Sequence, residues 1–166
     1  MTAQIGENLS YEGRSASMCS EPLDAYFELA GIDPGFQANC TALWRGYVGT
    51  WEITDGRLYL TGLDGTLNDG SQATLATFFP DYPERVFAHW YSGTLRVPQG
   101  KLLDYVHGGY GSTYEDDLLI SVEKGVVTRS AVRHNGKSDD PDGAEGYGIR
   151  AMTIFPDEVR GSGGSR

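Results

Sequence analysis

The chain is 166 residues long and carries 13 basic against 23 acidic side chains, a formal net charge of −10. That length suits one domain; 23 glycines beside three tryptophans, ten tyrosines and six phenylalanines exclude a disordered chain, a coiled coil and a collagen. The charge argues against general binding to DNA or RNA, whose affinity comes from Lys and Arg on phosphates, and leaves open a local basic pocket for a small anion or an acidic surface that mimics nucleic acid.

Residues 9–11 and 15–19 read as two short strands around Glu12-Gly13-Arg14. A helix follows. Ser20 suits the N-cap, Pro22 the first turn and Gly31 the left-handed stop, while Leu23, Tyr26, Phe27 and Ala30 share one face. Tyr47–Thr54 alternates, with Tyr47, Gly49, Trp51 and Ile53 on one side, and Trp51 is expected to be buried. Asp55-Gly56 is a two-residue hairpin signal, so residues 57–63 should return antiparallel. Residues 65–71 read as a polar loop and residues 72–79 as a short helix stopped by Pro80. Residues 86–97 read as one strand bent at Gly93. Pro98-Gln99-Gly100 reads as a turn and residues 101–106 as a further strand. After a glycine loop at 108–112, residues 117–123 and Val126–His134 form a second hairpin around Lys124-Gly125. Residues 135–146 read as an exposed acidic loop and residues 148–155 as a last strand. Without a βαβ alternation, the expected architecture is mainly β (α+β): antiparallel sheets forming a sandwich or partial barrel, with one or two short capping helices. Residues 1–160 make one globular domain, and 161–166 read as a linker or tag remnant.

No segment reaches the ~18 apolar residues of a membrane span, and the first twenty residues show no secretory h-region. A cytoplasmic protein without membrane partners is expected, with Cys19 and Cys40 as free thiols rather than a disulfide.

The familiar motifs fail on particular residues. Gly109-Tyr110-Gly111-Ser112-Thr113-Tyr114 imitates G-x-G-x-x-G but ends in Tyr and does not open a helix. Arg45-Gly46-Tyr47 opens like an RNA-recognition strand, yet Val48 and Gly49 break that pattern. Setting Gly143 at position 6 of a calcium loop puts Ile149 where a bidentate Glu is required. His89, His107 and His134 lie far apart, no C-x-x-C or H-E-x-x-H occurs, and no metal or other cofactor is expected. There is no G-x-S-x-G elbow, and Glu115-Asp116-Asp117 reads as a solvated charge run. No catalytic residue is assigned.

What remains is a set of aromatic and imidazole groups at strands or their ends: Trp44-Arg45-Gly46-Tyr47, His89-Trp90-Tyr91 and Tyr105-Val106-His107. If Ala88 and Trp90 face the core, His89 and Tyr91 face the other way. Either these are ordinary core and rim, or Trp44, Arg45, Tyr47, His89, Tyr91, Tyr105 and His107 line one ligand-binding pocket or surface. Aromatic faces with a few donors suit a planar ligand, and Arg45 or Arg96 would offer a fork for phosphate or carboxylate. In the pocket reading, Arg45→Ala abolishes binding and leaves thermal stability nearly intact.

The stretch Thr41-Ala42-Leu43-Trp44-Arg45-Gly46-Tyr47-Val48-Gly49-Thr50-Trp51-Glu52-Ile53, the stretch Ser92-Gly93-Thr94-Leu95-Arg96-Val97-Pro98-Gln99-Gly100 with Tyr105-Val106-His107, and Ser20-Glu21-Pro22-Leu23 resemble a family of small uncharacterised bacterial proteins, some phage- or mobile-element-borne. The resemblance covers residues 9 to 130 and implies no activity. The expected function is a non-enzymatic binding module, of the size and charge of bacterial and phage conflict proteins. Its partner would be another protein or a small nucleotide-like ligand, not nucleic acid. One alternative is a small hydrolase or lyase using His89 or His107 with a carboxylate. Another is an acidic nucleic-acid mimic that acts as an inhibitor.

Overall fold

A computed structural model describes residues 4–38, 40–106 and 109–142. The expected strand at 148–155, His107 and the end of the acidic loop lie outside the described residues. The elements run β1 (Glu7–Tyr11), β2 (Arg14–Met18), α1 (Pro22–Ala30), β3 (Tyr47–Thr54), β4 (Arg57–Thr66), β5 (Gln72–Ala73), α2 (Leu75–Phe78), β6 (Val86–Phe87), β7 (Gly93–Asp104), β8 (Thr113–Glu123) and β9 (Val126–His134). Among the described residues the fold is mainly β with two short helices. The nine strands of the described residues form one sheet in the order β2-β1-β3-β4-β9-β8-β7, with β5 and β6 also on β4. All pairings are antiparallel except β1 with β3, which α1 makes possible by carrying the chain back across the sheet. The sheet is not closed into a barrel. Its end strands nonetheless approach where the Cys19 amide donates to the Arg96 carbonyl at 2.8 Å.

Three hairpins rest on the same local chemistry. Glu12-Gly13, Asp55-Gly56 and Lys124-Gly125 all have positive φ at both residues, the requirement of the type I′ turn that matches strand twist. Trp51 is fully buried, with Tyr47, Leu58, Leu60, Leu95 and Ile120 around it. α1 covers this core with Leu23 and Phe27, and a chain of rings continues it: Phe27 to Phe78 at 4.9 Å, Phe36 to Tyr47 at 4.9 Å and Tyr26 to Trp90 at 4.9 Å.

Several sequence expectations need correction. Ser20 does not cap α1; Glu21 occupies that position without a side-chain cap bond. The Ser20 hydroxyl instead accepts from the Arg96 amide at 3.1 Å and donates to the Thr94 carbonyl, joining β2's exit to β7. Residues 86–97 are not one strand. β6 ends at Phe87, the Tyr91 amide closes a turn on the Ala88 carbonyl at 3.0 Å, and β7 starts at Gly93. Pro98-Gln99-Gly100 is not a turn, because Pro98 stands inside β7 opposite Asp117. β7 ends the sheet order, and an edge strand tolerates a residue without an N–H. The ladder then shifts register after Gln99, where Gly100 takes φ +77 and the Glu115 side chain occupies the space a Cβ would need, 2.7 Å away. Finally, residues 72–79 open with the two-residue β5 before a single helical turn, and β4 runs on to Thr66.

Candidate functional site

β1 alternates Glu7, Leu9 and Tyr11 on its core side, so an acid stands at an apolar position, with Glu7 and Leu9 buried. It is satisfied entirely by donors. Glu7 Oε2 accepts from Arg45 Nη2 at 2.6 Å, from Arg45 Nε at 3.2 Å and from the Gly49 amide at 2.8 Å. Glu7 Oε1 accepts from Trp51 Nε1 at 3.0 Å. Burial pushes the Glu7 carboxyl above its ordinary value, opposed by the Arg45 charge and by the Gly49 and Trp51 donors. Burial also works against the Arg45 charge, but Glu7, Tyr110 and Glu21 overcome it and hold the guanidinium more firmly protonated than usual.

The outer side of this pair faces a cleft of about 450 Å³ lined by Gln4, Glu21, Asp24, Trp44, Arg45, Gly109 and Tyr110. The start of α1 brings Glu21 and Asp24. The turn before β3 brings Trp44 and Arg45, and Gln4 holds that turn by accepting from the Trp44 amide at 2.7 Å and donating to the Thr41 carbonyl at 2.7 Å. The glycine loop is fastened by Arg96, whose guanidinium donates to the carbonyls of Tyr110 and Ser112 at 2.7 and 2.8 Å. Tyr110 donates its hydroxyl to Glu21 at 2.5 Å, and Tyr47 donates to Asp24 at 2.5 Å. Burial raises the Glu21 carboxyl, and the neighbouring Asp24 carboxylate adds to the rise against Tyr110 and Arg45. Burial likewise pushes the Tyr47 and Tyr110 hydroxyls up, so both remain donors at neutral pH.

Of the seven residues the sequence singled out, Trp44 and Arg45 line the cleft, and Tyr47 reaches Asp24 from the core, with Arg45 5.3 Å over its ring. His89, Tyr91 and Tyr105 lie outside the lining. His89 and Tyr91 sit on the turn after β6, because the strand that would have aligned them ends at Phe87. His89 is exposed, Tyr91 is half-buried against the core, and Trp90 between them reaches α1, donating to the Pro22 carbonyl at 2.8 Å. Tyr105 follows β7, and His107 lies outside the described residues. Arg45 is not a free fork for a ligand phosphate. Its side chain is 5% exposed, and its nitrogens serve Glu7, the Ile5 carbonyl at 2.9 Å and Glu21 at 3.5 Å. Arg96 is engaged too, on Asp117 and the two loop carbonyls.

Sequence reasoning missed Glu7, Glu21, Asp24, Gln4 and Tyr110. Only Glu7 carried a signal, an acid in phase with Leu9 on a strand's apolar face, which demands a buried cation. Cys19 and Cys40 are free thiols, and burial pushes the Cys19 thiol up, away from reactivity. Among the described residues, no three potential ligands gather as a metal site and no helix is long and apolar enough to cross a membrane. Comparison of the chain with protein-family models, with curated proteins and with solved structures found no match in any of the three.

Proposed function

We propose that the protein is a non-enzymatic binding module whose cleft takes a positively charged group, the arginine or lysine side chain of a partner protein. The observation that carries this reading is the state of Arg45. Among the described residues the one cation lining the cleft is bound by Glu7, so what the cleft offers a visitor is the second oxygens of Glu21 and Asp24, whose first oxygens accept from Tyr110 and Tyr47, and the face of Trp44, which is 49% exposed. Two carboxylates beside an indole face suit a guanidinium or ammonium. They repel a nucleotide phosphate. A hydrolase built on His89 draws no support, because the histidine that meets a carboxylate among the described residues is His134, with Asp116, on exposed β9.

The test is a tryptophan-fluorescence titration with Nα-acetyl-arginine methylamide, the lysine analogue and AMP. The two basic ligands should give a saturable change that is lost in Trp44→Phe and weakened in Asp24→Asn. Saturation by AMP with no response to either base would overturn the reading and restore the nucleotide-like ligand.

A further inference from the structure

A second surface lies on the sheet face turned away from the core. Leu60 and Val86 pair across β4 and β6 and are buried; the adjacent pair, Tyr59 with Phe87, therefore points outward. By the same alternation Arg57, two residues before Tyr59, and Arg85, two before Phe87, join them, and each reaches across to the other's ring. The four side chains form a ladder. Arg85 lies 4.1 Å over the Tyr59 ring, Tyr59 lies 5.7 Å from Phe87, and Arg57 lies 5.9 Å over Phe87. Both arginines are exposed, and among the described residues neither forms an ion pair. Glu52, opposite Tyr59 on β3, pairs with neither.

Arg14 and Arg129 also form no ion pair among the described residues, but Arg57 and Arg85 differ from them in lying over aromatic rings. Stacking on a ring holds a guanidinium flat and leaves its N–H edges free, so the ordering that usually opposes an ion pair has already been met. Arg85 already occupies the space over one face of the Tyr59 ring, 4.1 Å from its centroid. A nucleobase would find little to stack on, whereas a carboxylate meets two ready forks.

We propose that Arg57 and Arg85 form a docking surface for an acidic peptide segment of a partner protein, each guanidinium receiving one carboxylate. This surface is separate from the cleft and does not depend on what the cleft binds. The argument is charge complementarity at a pre-ordered site, which sets orientation and encounter rate more than raw affinity.

The experiment is fluorescence anisotropy with a labelled hexaglutamate peptide and a labelled deoxythymidine oligomer of equal length, at low and physiological salt. The wild-type protein should bind the peptide in preference to the oligomer, more weakly as salt rises. The R57Q/R85Q variant should lose about tenfold or more in affinity, the worth of one charge-assisted pair. K101Q/K137Q, which removes as much charge elsewhere, should bind as wild type. R57K/R85K, which keeps the charge but not the forks, should also weaken; it keeps the question answerable if the glutamine variant fails to fold. Unchanged peptide binding in a folded R57Q/R85Q or in R57K/R85K, equal loss in K101Q/K137Q, or tighter binding of the oligomer would overturn the proposal.

Discussion

Arg45 has five N–H donors, and its nitrogens meet Glu7, the Ile5 carbonyl and Glu21. Truncating it would leave Glu7 buried beside Trp51 without a counter-charge. Breaking such a pair from one side costs about 3–5 kcal/mol, so Arg45→Ala should melt on the order of 10 °C lower than wild type in a thermal scan. Removing both partners as Glu7→Gln with Arg45→Met should recover part of the loss, because no lone charge remains. This reverses the expectation of an expendable ligand-gripping arginine. Asp117 offers a different test at the same scale. Burial raises its carboxyl, but donors from Asn135, Arg133 and Arg96 outweigh burial and hold it below its ordinary value. A depressed carboxyl stabilises the fold above the unfolded-state value of about 4 and loses that contribution as pH falls through it toward the folded value. The stability gap between wild type and Asp117→Asn, read from urea midpoints, should therefore be widest near neutrality and narrow below about pH 4. A gap independent of pH would show that the ion cluster adds nothing.

Among the elements, the three type I′ turns share a geometry but not surroundings. At Gly56 an added Cβ meets nothing within 4 Å, whereas at Gly125 it meets the Ala88 carbonyl oxygen at 2.7 Å and the Phe87 ring at 2.8 Å. Gly56→Ala should cost only the left-handed backbone, about 1–2 kcal/mol. Gly125→Ala adds overpacking of about 1–3 kcal/mol, and the two urea midpoints should separate accordingly. These turns, the alternation in Tyr47–Thr54 and the apolar face of α1 were legible because the chemistry that makes them lies within a few residues. The parallel pairing of β1 with β3, the two-residue β5 and β6, and the recruitment of Ser20 to β7 were not. Each is decided by a partner far along the chain, and nothing local marks it. The same holds at the cleft. Trp44 and Arg45 could be picked out as letters, but that Arg45 faces inward depends on Glu7, 38 residues away. Pro98 misled for a local reason: proline before Gln-Gly signals a turn, and only the edge position of β7 makes a strand of it.

Across the whole molecule, the sheet curls over a core capped by α1, so the cleft and the arginine ladder occupy separate surfaces. The two halves of the sheet meet at two narrow seams. One is the Cys19–Arg96 contact with the Ser20 hydroxyl beside it. The other is the junction of β4 with β9, a ladder of one residue pair, Arg57 with Val126, flanked by the Leu58–Gly125 and Val127–Gly56 bonds. Beyond it β4's edge is occupied by β6 and β5, and β9 diverges, paired among the described residues on one side only, with β8.

That one-sided pairing has a kinetic signature. In an antiparallel edge strand, alternate amides bond the neighbour and the others point to water. From Thr128 to His134 the amide protons should therefore exchange with deuterium in a comb, one residue slow and the next fast, while β8, paired on both sides by β7 and β9, is slow throughout. Residue-resolved exchange by NMR reads the comb directly. Its teeth would fill in if any other strand lay along that edge, and a filling that grows with protein concentration would mark β9 as the place where two chains join.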